Sequence, residues 1–160
     1  TLFRSIDWIK ISLLMTLILF LTSCTSTNET QKGKYFNNII THYFGEYSPS
    51  EKVWVDKPLN KYAIAEINKS KLSLDEFQVI KNRLKSDNWE MISDQDNYFE
   101  YCMGSEIYMG ILYPVNPKHH RYDGEEVLYE NINKWSIGLS YNDAGVKHCR
   151  KDKLPVIKLE

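Results

Sequence analysis

The chain has 160 residues, with 20 lysines and arginines against 21 aspartates and glutamates and a formal net charge of −1. Both signs are interspersed, which disfavours nucleic acid as a partner, because releasing counterions from phosphates needs a clustered positive face. The length suits one domain around a single core and is too short for two comfortable ones.

Arg4 and Lys10 precede a run over residues 11–21 that carries no charge and is almost wholly apolar, the profile of an export signal. A spanning helix needs about 20 apolar residues; this run is about half as long and closes on small polar residues. Its end, Leu21-Thr22-Ser23-Cys24, resembles the lipobox of bacterial lipoproteins: an aliphatic residue, two small residues, and the cysteine that is diacylated and becomes the first residue after cleavage. The resemblance covers the first two dozen residues. It implies processing of residues 1–23 by the lipoprotein signal peptidase and a membrane anchor on Cys24, and no activity for the remainder. Two or three acyl chains, at about 0.8 kcal/mol per buried CH₂, make such anchoring effectively permanent. By resemblance to proteobacterial lipoproteins, Thr25 in place of Asp favours the outer membrane, with the protein facing the periplasm. An ordinary signal peptide, or a small buried helix with a free thiol, is the rival reading.

Residues 24–34 are polar and cannot bury enough surface to offset ordering, so they read as a flexible tether ahead of a single domain over 35–160. Tyr35, Phe36, Ile39, Ile40, Tyr43 and Phe44 recur at helical spacing, and the stripe runs out near Gly45. Such a face packs on the protein's own sheet or docks on a membrane or partner; the lack of a basic polar face weighs against the membrane. Residues 47–60, with Pro49 and Pro58 around Val53-Trp54-Val55, read as an irregular connection with one edge strand, and Trp54 as core. Residues 62–67 alternate as a strand.

The best-specified element is a helix over 74–86. Ser73 and Glu76 form a capping-box pair, Leu72 and Phe77 occupy the staple positions, and Leu74, Phe77, Ile80 and Leu84 line one face. Acids come early and bases late, complementing the helix dipole. Short β-like runs follow at 89–92, 98–103 and 106–113, separated by turn signals at 94–97 and at Gly104-Ser105, the latter suited to a two-residue type II′ hairpin. Residues 114–124 read as a long loop, and 125–133 are ambiguous between strand and helix. Trp135, Ile137, Leu139 and Tyr141 alternate with small polar residues in the clearest half-buried strand, and 146–149 reads as a terminal strand.

With Cys24 assigned to lipid, Cys102 and Cys149 remain as an even pair in a compartment that permits disulfides. A bond is the favoured reading; two free buried thiols, or a metal pair needing two further ligands, are the rivals. His119-His120 with Asp123 and Glu125 has poor spacing for a metal and reads as a solvated loop pair. His42 and His148 have no identifiable partner, and carboxylate pairs such as Glu125-Glu126 and Asp94/Asp96 lie in turn-rich surface contexts. No Gly-x-Ser-x-Gly turn is present.

These features predict an α+β domain: an antiparallel meander of about four to five strands carrying one capped helix, plus an N-terminal helix and one disulfide. They predict no enzyme, no cofactor, no metal and no nucleic-acid partner. The expected function is a membrane-anchored, non-catalytic envelope protein that binds another protein, of an inhibitor or immunity type. Tyr98, Tyr101, Tyr108, Tyr113, Tyr122, Tyr129 and Tyr141 fall in the sheet-forming half; sheets favour aromatics for packing alone, and a partner-binding sheet face is the functional reading, with the binding residues themselves unassigned. An accessory subunit of an envelope assembly is the alternative, and a small periplasmic hydrolase a third.

Overall fold

The computed structural model describes residues 29–151, with side chains described from residue 35 on except at 53 and 54. The lipobox with Cys24, and the side chain of Trp54, therefore lie outside the described residues. The chain divides into two compact units, Thr1–Gln31 and Lys32–Glu160, and the architecture below is that of the second.

Helix α1 spans Glu29–Phe44 and is followed by a 3-10 turn, Gly45–Tyr47. It begins ahead of the apolar stripe and takes in residues 29–34, which composition alone assigns to the tether. A hairpin of β1 (Ser50–Lys57) and β2 (Asn60–Asn68) leads to α2 (Leu74–Ser86). Strands β3 (Glu90–Gln95), β4 (Tyr98–Met103) and β5 (Ile107–Leu112) form the expected meander. A long excursion with a two-residue ribbon, β6 (His119–His120) against β7 (Glu126–Val127), precedes β8 (Lys134–Asn142) and a closing 3-10 turn, Lys147–Cys149.

The main sheet has six strands, all antiparallel, in the order β1-β2-β8-β5-β4-β3. This exceeds the expected count, and only β3, β4 and β5 are joined as a simple meander. The late strand β8 inserts between β2 and β5 and welds the two hairpin systems together. Its alternation makes it the right strand for that place: Trp135, Ile137 and Leu139 are fully buried on one side.

Helix α2 has the bounds its sequence predicts. The Ser73 hydroxyl accepts from the Glu76 backbone N–H at 3.2 Å, and the Glu76 carboxylate accepts from the Ser73 N–H at 2.8 Å. Leu72, Phe77, Ile80 and Leu84 are buried. The helix ends where Asn88 adopts φ 65°, a left-handed stop that short polar side chains tolerate. Phe77 is wedged at 4.9 Å between the rings of Phe99 on β4 and Trp135 on β8. The stripe of α1 also packs into this core: Phe36, Ile39, Ile40, Tyr43 and Phe44 are buried, while Tyr35 is exposed.

Three local expectations are corrected. The hairpin β4-β5 closes at the Met103↔Ile107 pair, so its loop holds three residues rather than two, although Gly104 does take positive φ, at 62°. Two-residue loops occur instead at Pro58-Leu59 between β1 and β2 and at Asp96-Asn97 between β3 and β4, the latter with both residues at positive φ as a type I′ hairpin requires. Residues 147–149 form a 3-10 turn and not a strand: β8 is already flanked by β2 and β5, which leaves the chain after it no ladder partner there.

Candidate functional site

Alternation along the strands gives the sheet two unlike faces. One carries Ala63, Ala65, Ile67, Phe99, Tyr101, Met109, Ile111, Trp135, Ile137 and Leu139 and is covered by both helices. On the other, one cross-strand row runs Lys52, Ile64, Gly138, Gly110 and Glu100, because Lys52↔Ile64, Ile64↔Gly138, Gly138↔Gly110 and Gly110↔Glu100 are successive register pairs. The two adjacent glycines leave a trough in the middle of this face, which is helix-free among the described residues, and tyrosines lean into it.

A Cβ at Gly110 would lie 2.1 Å from the Tyr98 hydroxyl oxygen and 2.9 Å from that of Tyr108, so only glycine fits beneath them. A Cβ at Gly138 would meet the Tyr62 ring at ordinary contact distance. The Tyr108 hydroxyl donates to Glu100 Oε1 at 2.6 Å, which leaves the Tyr98 hydroxyl to donate to Tyr108 at 2.8 Å. Arg121, from the excursion between β5 and β8, donates to the same Oε1 at 2.9 Å, and its guanidinium lies 5.2 Å from the centroid of the Tyr108 ring. Glu100 is completely buried. Glu100 Oε2, Arg121 Nε and the Tyr101 hydroxyl have no hydrogen-bond partner among the described residues.

Burial pushes the Tyr98 phenol up to about 12 and that of Tyr108 higher still. Both hold their protons near neutrality and act as donors, not bases. With Glu100 sealed from solvent, the cluster is an ionic staple that pins the excursion to the sheet.

A second staple lies beside it. Cys102 on β4 and Cys149 are disulfide-bonded, with Cα atoms 5.6 Å apart, as the pairing logic favoured. The bond anchors His148, whose ring lies 5.6 Å from that of Tyr108 and whose Nδ1 is 3.8 Å from Asp123 Oδ2. Burial, reinforced by the nearby Arg121 charge, pushes His148 below the usual histidine range. Asp123, Glu125 and His148 each bring a possible ligand atom within 4.8 Å of the others. The Arg121 guanidinium, 3.8 Å from Glu125, already supplies positive charge there.

The histidine expectations change accordingly. His119 is fully buried and not solvated: its Nε2 accepts from the backbone N–H groups of Val115 and Asn116, and Nδ1 faces the Asp96 carbonyl at 3.1 Å. Its neighbour His120 is exposed, as alternation on β6 requires. His42 has a partner, Asp87 at 3.1 Å, which also accepts from Tyr43 at 2.7 Å. The carboxylate pairs are dispersed among separate partners: Asp94 with Lys81, Asp96 with the His119 ring, Glu125 with Arg121 and Glu126 with Lys118.

The tyrosines divide between the packing and the surface readings. Tyr98, Tyr101 and Tyr108 are buried, whereas Tyr122 is exposed. What remains open is the other end of the helix-free face, a groove of about 480 Å³ over β1, β2 and β8. Tyr62, Ile64 and Ser136 line it from the sheet, and residues 128–130 line it from the excursion. Leu128 is 85% exposed at this rim, far more than any other large apolar residue described. Tyr62, over Gly138, is the link between groove and staple. Sequence reasoning missed both, because each depends on which strands become neighbours; the adjacent glycines of β5 and β8 were the only local sign. No helix among the described residues is long and apolar enough to cross a membrane. The chain matches no protein-family model, no curated protein and no solved structure.

Proposed function

We propose that this chain is a membrane-anchored, non-catalytic envelope protein that captures another protein on the helix-free face of its sheet, as an inhibitor or immunity-type lipoprotein does. The groove over β1, β2 and β8, with Leu128 standing out at its rim, is the observation that carries this reading. A large apolar side chain standing beside a concave apolar surface extends it into one contiguous patch, the pattern of an interaction site. The platform beneath it is rigid: the excursion that presents Leu128 is pinned by Arg121 to Glu100 and by His119 to Asp96. A preorganised surface loses little entropy on binding. Anchoring rests on the lipobox, through Cys24.

A photocrosslinking residue placed at position 128 of the full chain, in its own cells, tests this. The expected product is one stoichiometric adduct with a soluble protein, and a Cys24→Ser variant is expected to lose acyl-chain labelling and membrane retention. An adduct with an integral membrane complex would favour the accessory-subunit alternative. Crosslinks at 128 no different from those at exposed Val79 on α2 would sink the binding reading.

A further inference from the structure

The groove's charges say what kind of partner it fits. Among its lining residues are three carboxylates, Glu51, Glu66 and Glu130, and one cation, Lys52. Glu66 is already neutralised by Lys134 at 2.7 Å. Glu51 accepts only a neutral hydrogen bond, from the Asn37 amide of α1 at 3.4 Å. Glu51 is exposed, and partial desolvation raises its pKa against the opposing effect of the Asn37 hydrogen bond. Glu130 is exposed, with no ion pair among the described residues.

Between these carboxylates lie Tyr62, Ile64 and Leu128, with Tyr129 half-buried beside them. Tyr129 is fixed in place, since its hydroxyl donates to the Asn116 carbonyl and its ring meets His119 edge-on at 5.9 Å. An apolar bed with two aromatic rings and an excess of carboxylates over cations in its lining, three against Lys52 and the Lys134 that pairs with Glu66, suits a lysine or arginine carried next to an apolar side chain. The aliphatic stem packs, the charge meets carboxylate, and the ring faces attract the cation. The volume lies within the roughly 300–1,000 Å³ range of sites that enclose a ligand.

Resting on the binding role above, we infer that the partner is a basic protein, and that it docks through a segment in which apolar and cationic side chains alternate. Apolar groups of that segment lie on Ile64, Tyr62 and Leu128, and its cation lies between Glu51 and Glu130.

The test measures fluorescence anisotropy of three labelled pentapeptides, Leu-Arg-Leu-Arg-Leu and its Gln and Glu counterparts, against the full-length chain in neutral detergent. The arginine peptide is expected to bind about tenfold more tightly than the glutamine peptide, and the glutamate peptide most weakly, with the preference shrinking as salt is raised. Glu51→Gln/Glu130→Gln is expected to remove the preference at an unchanged melting temperature. Glu106→Gln/Asp143→Asn, distant carboxylates, is expected to leave it intact; if it removes the preference equally, attraction is merely global and the inference falls. Equal affinity for all three peptides, abolished by Leu128→Asp, overturns the basic-partner inference and leaves the docking face standing. Affinity indifferent to Leu128→Asp, or no binding of any peptide, overturns the basic-partner inference too, and indifference removes the docking face with it.

Discussion

The two faces of one sheet solve the problem of cover in opposite ways. On the helix side, α1 and α2 lay apolar stripes on apolar strand residues, and close packing dominates the fit; Phe77 between Phe99 and Trp135 is typical. On the other side no helix lies among the described residues, and an irregular segment crosses the strands. That segment is held by a few polar contacts of high individual weight: Arg121 to Glu100, His119 to Asp96, and the adjoining disulfide. The dry face tolerates no gap. The polar face depends on a few paired charges, and it leaves uncovered the stretch over β1, β2 and β8 where the groove lies.

The comparison can be broken most severely on either side by a single residue. Phe77→Ala should cost about 3–5 kcal/mol by opening a cavity between two rings. Arg121→Ala should cost a similar 3–5 kcal/mol by stranding a buried carboxylate. The two differ in rescue. Replacing Glu100 by Leu together with Arg121→Met should recover much of the second loss, because an apolar pair removes the uncompensated charge; denaturant unfolding of the three variants measures this. A double variant no more stable than Arg121→Ala would mean that the ion pair does not govern that face.

Joining Cys102→Ser with Cys149→Ser should lower stability by about 4 kcal/mol, the chain-entropy value for a loop of this length. Its effect should extend to the polar face, read as faster amide hydrogen exchange around His148 and Arg121 than in α2. Next in size, Gly110→Ala should cost about 1–3 kcal/mol by displacing the Tyr98 and Tyr108 hydroxyls, with Gly138→Ala milder because its neighbour is at ordinary contact distance. Melting temperatures rank the pair.

The smallest effects lie at the ends of α2. The backbone N–H and hydroxyl of Ser73 hold the Glu76 carboxyl below its ordinary range, and hydrogen bonds from Tyr43 and then His42 do the same for Asp87. A carboxyl with a depressed folded pKa adds stability above its unfolded value, near 4, and loses it as pH falls through the folded one. Stability should therefore drop below about pH 4, with a shallower slope in Glu76→Gln and Asp87→Asn. Urea midpoints across that window give the slopes, and unchanged slopes would contradict the assignment.

Much of the helix side was legible residue by residue. The capping box set the start of α2, its apolar spacing set the buried face, and the alternation of β8 marked Trp135, Ile137 and Leu139 as core. These signals are local, within one or two turns or a few strand residues. The polar face was not legible, because its parts come from far along the chain. Glu100 sits in the run Tyr98-Phe99-Glu100-Tyr101-Cys102, where a charge reads as solvent-facing, and only Arg121 and Tyr108 explain its burial. His119 reads as a loop residue until the turn at Asp96 is placed against it. The tyrosines read as a binding surface because aromatic residues serve interfaces and interiors alike.

By itself, then, the sequence determined the capped helix, the β8 pattern, the even cysteine pair and, through the lipobox resemblance, the expectation of an anchor at Cys24. Each is a matter of residues close in the chain or of simple parity. Only the tertiary structure decided that β8 enters between β2 and β5. That insertion sets Gly138 against Gly110, opens the trough for the tyrosines and leaves the groove beside Leu128. Strand neighbours are chosen by closing long loops against the gain of a shared core, and that balance is written across the whole chain and not in any one segment.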